Sequence, residues 1–134
     1  MEQRTDEWFA ARLGKVTASR VADVLATRKG QESTIRAKYK LQLVTERLTG
    51  RKVNSFVNAA MQDGIDREPM AKDIYSLVID KPINEVGFIN HPSIEMAGAS
   101  PDGTIGDNGI IEIKCPVETT HTQYLLDKKF PIKY

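Results

Sequence analysis

The sequence predicts a mixed α+β fold, with helices first and an antiparallel-rich central sheet after them. Three observations carry that reading. Up to Val78, apolar residues recur at helical spacing, as in Ile35, Tyr39 and Leu43. From Asn84 onward, short apolar runs alternate with Gly, Asn, Asp and Pro, the punctuation of strands and tight turns. The chain has 134 residues, 40% of them apolar, which suits one domain spanning residues 1–134.

The elements follow in order. Thr5 caps a first helix that carries Asp6 and Glu7 in its opening turn, runs to about Arg12 and stops at Gly14. Thr17 or Ser19 opens a second helix to about Ala26. RKGQES reads as a loop, and Ser33 caps a third helix that ends at Thr49-Gly50. A long helix is expected from about Ser55 to Val78, with Val57, Ala60, Met61, Gly64, Ile65, Glu68, Ala71, Tyr75 and Val78 along its apolar row. Pro69 should bend it, because proline lacks an N–H and crowds the preceding turn. Strands are expected over about 84–90, 96–100, 102–106 and 109–115, and the tail reads as a short helix and a loop.

Bulk properties exclude several classes. No apolar run approaches the ~20 residues that span a bilayer. The polar start MEQRTDEW has no secretory apolar core, and Cys115 is the one cysteine, so an internal disulfide or cysteine-based zinc site is out. A cytoplasmic protein without membrane partners is the expectation. The formal charge of +1 neither announces nor excludes a nucleic-acid partner.

The unusual stretch is SPDGTIGDNGIIEIKCP, where an apolar strand carries Glu112 and Lys114. If Asp107-Asn108-Gly109 forms a three-residue hairpin loop, Thr104 faces Glu112 and Asp102 faces Lys114. Side chains alternate along a strand, so these four would share one face, with Ile111, Ile113 and Cys115 on the other. Two carboxylates diagonal across a strand pair suit a hard divalent cation such as magnesium. A neighbouring lysine suits a phosphate or the attacking water. Glu68 lies in the core-facing row of its helix, where a carboxylate is costly unless a positive group meets it. It supplies a third carboxylate if that helix packs on the same face. The competing reading makes Glu112 and Lys114 a solvated sheet face and Asp102 a turn residue. Glu68 on an apolar row and Ser-Pro before Asp102 favour a site.

Asp102, Glu112-Ile113-Lys114 and upstream Glu68 resemble the PD-(D/E)xK nuclease pattern. QRTDEWFAARLGKVTAS, NAAMQDGIDREPMA and GASPDGTIGDNGIIEIKCP together are similar to the phage lambda exonuclease and YqaJ-type viral recombinase family. The likeness runs through nearly all of the chain. It implies a restriction-endonuclease-like sheet and a phage- or prophage-encoded 5′-to-3′ exonuclease acting on double-stranded DNA ends in a bacterial host. It further implies 3′ single strands handed to an annealing partner, a homotrimer, and magnesium, with manganese as the alternative ion. Matched residue by residue, Asp102, Glu112, the Ile113 carbonyl and Glu68 would hold the metal, and Lys114 would position the attacking water. Arg12, Ser19 and Ser100 would hold the 5′-phosphate, and Met61 would wedge the terminal base pair.

Plainer roles stand beside these. Arg12 also fits a surface pair, Ser19 a helix cap, and Met61 and Trp8 the core. His91 and His121 read as structural or exposed, and Cys115 as a buried strand residue. Arg28, Lys29, Arg36, Lys38 and Lys40 fit either a DNA-tracking patch or a solvated face. Family members continue past the position of Tyr134, so the resemblance implies a domain incomplete at its C-terminus, a fragment or a short form completed by oligomerisation. Two alternatives to the exonuclease stay open: an endonuclease or single-strand nuclease of the same superfamily, and a non-catalytic DNA-end-binding protein.

Overall fold

Local capping chemistry sets the helix boundaries in the computed structural model, which describes residues 1–53 and 58–128. Helix α1 is Asp6–Arg12, and the Thr5 side chain accepts from Trp8 N at its start. Helix α3, Thr34–Thr49, starts at Ser33, which accepts from Arg36 N, and ends at Gly50 in the left-handed region. Between them the expected second helix divides into a 3-10 turn, Ala18–Arg20, and a short α2, Val21–Leu25. Helix α4, Ala59–Ile79, continues through Pro69, and its cap is Asn58. The expected start near Ser55, with Val57, lies outside the described residues. Helix α5 is Glu118–Asp127. No described helix is long and apolar enough to cross a membrane.

The chain divides into two compact units. The first comprises Met1–Ser55, where described, and Asn84–Ile111. At its centre β5, Ala97–Ala99, pairs in parallel with β1, Val16–Thr17, and antiparallel with β4, Ile89–Asn90. The parallel β1 partner was not expected, because a two-residue strand leaves no alternation to read. RKGQES is not a plain loop either: β2, Thr27–Arg28, pairs with β3, Gln31–Glu32. Lys29 and Gly30 both take positive φ, the two-residue turn that fits the strand twist.

The hairpin that follows is shifted from expectation. Strand β6, Gly103–Ile105, pairs with β7, Gly109–Ile111, in the register Gly103↔Ile111 and Thr104↔Ile110. The loop is therefore Gly106-Asp107-Asn108, and the left-handed residue is Gly106 at φ 58°. The expected register paired Gly106 with Ile110. The shift of two keeps the alternation within the paired residues, but Thr104 faces Ile110 instead of Glu112. Strand β7 ends at Ile111, so Glu112 and Lys114 follow the strand, and the expected register of Asp102 opposite Lys114 does not form. Thr104 also bridges Asn84.

The first unit is held by buried polar groups as much as by apolar ones. Tyr39, 4% exposed, receives Thr17 N on its hydroxyl at 3.3 Å. Glu46, 5% exposed, accepts from Gly14 N at 3.0 Å and from Val53 N at 3.3 Å. Arg47 Nε donates to Gly14 O at 2.8 Å. Two consecutive residues of α3 thereby clamp the turn between α1 and β1. At the sheet centre, Gly98 leaves room for the Phe88 ring: a Cβ there would lie 2.3 Å from Phe88 Cζ and 2.5 Å from Ile89 O.

The second unit takes the described residues of Phe56–Ile83 and Glu112–Tyr134. Along α4, Gly64, Ile65, Glu68, Ala71 and Lys72 are the less exposed row, whereas Tyr75 and Val78, expected on it, are exposed. A Cβ on Gly64 would lie 3.7 Å from Cys115 O, so this row faces the segment after β7.

Gly98→Ala is expected to destabilise the fold by about 1–3 kcal/mol, because the added methyl meets backbone as well as a ring. Urea denaturation is the measurement.

Candidate functional site

Arg12 closes α1, and Trp8 precedes it by one helical turn. Side chains four apart share a helix face, and the Arg12 guanidinium lies 4.1 Å from the centre of the Trp8 ring. The Phe88 ring centre lies 5.9 Å from the Arg12 guanidinium and 5.3 Å from Lys15 Nζ. Ser100 follows β5 directly. Its hydroxyl accepts from Arg12 Nη1 at 2.8 Å and from Trp8 Nε1 at 3.0 Å.

No carboxylate pairs with Arg12 among the described residues. Burial pushes its pKa below the usual arginine value, with Tyr39 acting weakly the other way. The guanidinium stays charged, since arginine does not lose its proton in proteins. A partly dehydrated cation on an aromatic face, without an acidic partner, is a receptor for an anion.

Ser19 reaches the same end of the sheet. Thr17 pairs with Gly98 in the parallel ladder, and Ser19 and Ser100 each follow their partner by two residues. The 3-10 turn that carries Ser19 packs against β5. Ser19 Oγ lies 3.3 Å from Thr17 Oγ1 and is exposed.

The acidic residues divide between the units. Asp102 belongs to the first, half-buried, with its N–H on Ile111 O at 3.1 Å. Glu68, Glu112, Ile113 and Lys114 belong to the second. There Glu112 and Lys114 form an ion pair with each other on an exposed face. Glu68, its side chain 17% exposed, lies 3.9 Å from Lys72 Nζ, so its half-buried position is met by a positive group. It sits one turn beyond Gly64, on the row facing the segment that bears Glu112 and Lys114. Among the described residues no three of His, Cys, Asp and Glu come together as a cation site. Taken one by one, the Asp102, Glu112 and Glu68 side chains and the Ile113 carbonyl offer oxygen, the donor type a hard divalent ion takes.

Met61 is 51% exposed in the first turn of α4, so it is not a core residue. Trp8, read from sequence as core, instead supports Arg12 and Ser100. The Trp8-to-Arg12 spacing of four was the signal that could have shown its contact with Arg12. Lys40 pairs with Glu32 and Arg36 donates to Val24 O, while Arg28, Lys29 and Lys38 are exposed. His91 caps its own turn, accepting from Ile94 N at 3.0 Å.

Comparison with known proteins gives a consistent answer. A family model described as the YqaJ-like viral recombinase domain matches residues 7–134. A structure of the alkaline exonuclease LHK-Exo from Laribacter hongkongensis aligns at 48% identity with a TM-score of 0.83. LHK-Exo in complex with dAMP aligns at 48% identity with a TM-score of 0.85. Each alignment covers 97% of this chain and 63% of the other, so the chain spans less than two thirds of the length of these relatives. A search of curated protein sequences returned no match.

Ser100→Ala strands two donors, and is expected to lower stability by about 1–3 kcal/mol. Trp8 is the one tryptophan, so denaturation followed by its fluorescence reads the change at the pocket itself.

Proposed function

Because the chain belongs to the YqaJ-like viral recombinase domain family, we propose that it is a deoxyribonuclease that engages duplex DNA at a 5′-phosphorylated end. In this reading it digests one strand from 5′ to 3′ and leaves 3′ single strands for recombination. The observation that carries it is Arg12, a partly dehydrated guanidinium beside the Ser100 hydroxyl with no described carboxylate on it. A terminal phosphate dianion is the partner such a fork grips best. The alkaline exonuclease relatives support the reaction class. The dAMP bound in one of them is a nucleoside monophosphate, the kind of product an exonuclease releases.

The chain's own residues divide the work. Arg12 and Ser100, with Ser19 beside them, hold the end phosphate and set which bond is cut. Lys114, held against Glu112, orients the attacking water. Asp102, Glu112, the Ile113 carbonyl and Glu68 would hold magnesium, or manganese in its place. Bound there, the ion would lower the pKa of a water and offset charge at phosphorus. Met61, exposed at the start of α4, would wedge the last base pair. A trimer, an annealing-protein partner and the cytoplasm of a bacterial host complete the proposal.

One observation favours a second reading, a DNA-end-binding protein without turnover: the described acidic residues form no ready cation cluster. A linear 5′-phosphorylated duplex distinguishes the two. Shortening with magnesium that stops in EDTA, while closed circles stay intact, is expected of the exonuclease. Binding without shortening is expected of the alternative. Lys114→Ala is expected to cut turnover by about 100-fold or more while metal binding persists. Arg12→Ala is expected to reduce the preference for 5′-phosphate over 5′-hydroxyl ends by about tenfold or more, the scale of a charge-assisted contact. Turnover and preference unchanged from native would remove these two residues from their roles.

A further inference from the structure

We propose that Trp8 is the positioning residue of the anion pocket, fixing the direction in which Ser100 donates. The proposal rests on the reading of Arg12 and Ser100 as the phosphate-binding pair. A serine hydroxyl accepts two hydrogen bonds and donates one. Both accepting directions of Ser100 are occupied, one by Trp8 Nε1 and one by Arg12 Nη1. Neither partner can accept, since indole and guanidinium N–H groups only donate. The hydroxyl proton therefore points away from both, and none of the described residues receives it.

A phosphate oxygen has only lone pairs to offer, so it meets this proton favourably. Without the indole N–H, the hydroxyl is free to rotate its proton into the vacated direction. It would then turn a lone pair toward the phosphate and repel it. The Trp8 ring does a second job. At 4.1 Å from the guanidinium it fixes the plane of the Arg12 fork, so the remaining N–H groups keep one heading. A residue that touches no phosphate thus sets the polarity of the two that do.

Trp8→Phe is the direct test, because it keeps an aromatic face under Arg12 and removes the N–H. Affinities for 5′-phosphorylated and 5′-hydroxyl duplexes are measured in EDTA, where no strand is cut, for native protein, Trp8→Phe, Ser100→Ala and the double variant. The single variant is expected to lose about fivefold to tenfold in phosphate preference, the scale of one hydrogen bond. The double variant is expected to fall no further than Ser100→Ala, since Trp8 acts through that hydroxyl. If Trp8→Phe keeps the native preference while Arg12→Ala loses it, or if the two single losses multiply, the proposal is overturned. A native protein with no preference at all overturns the pocket itself, and the proposal with it. Should Trp8→Phe fail to fold, the native chain supplies the second arm through Trp8 fluorescence. Titration with a 5′-phosphorylated oligonucleotide is expected to change the emission, and Ser100→Ala to abolish that change. Constant emission at saturating binding overturns the proposal.

Discussion

The hydroxyl of Ser100 holds two donors that arrive from the same helix, and through them it ties α1 to the end of the central strand. That helix has seven residues, too few to persist alone in water. It stays because its ends are fixed. Upstream, Gln3 Nε2 donates to Val86 O and Pro101 O, each at 2.8 Å. Downstream, Glu46 and Arg47 take the N–H and C=O of Gly14. Arg12 and Trp8 thus stand on backbone held on both sides, and among the described residues no carboxylate aims the guanidinium.

The second unit balances charge differently. Two of its carboxylates have a lysine: Lys114 for Glu112, Lys72 for Glu68. An exposed pair such as Glu112–Lys114 is worth only about 0–1 kcal/mol, so an arriving cation or phosphate can displace it at little cost. Glu68–Lys72 is more enclosed, and there desolvation makes the charge partner matter more.

Sequence reading succeeded where structure is local. Thr5, Ser33 and Gly50 each specify a helix end through one hydrogen bond or one dihedral, and each was legible. It failed where partners are distant or strands are brief. Val16–Thr17 carries no periodicity, so its parallel partner Ala97–Gly98 could not be inferred. From sequence the hairpin loop reads as Asp107-Asn108-Gly109; the chain turns at Gly106-Asp107-Asn108 with Gly106 left-handed, and the register moves by two. Trp8 was misread for a different reason. Its size argues core, and nothing local reveals that Ser100, 92 residues away, waits for its N–H. The candidate site residues were recognisable as types and spacings. The arrangement of Arg12 over Trp8 against Ser100 needed the fold.

The central claim is that Arg12 and Ser100 form a seat for a terminal phosphate. A crystal structure with a 5′-phosphorylated DNA end bound tests it most directly. The account predicts phosphate oxygens within hydrogen-bonding distance of the Arg12 guanidinium and the Ser100 hydroxyl, with Trp8 Nε1 still on Ser100. A phosphate bound elsewhere, with the Arg12–Ser100 contact intact and bare, would contradict it.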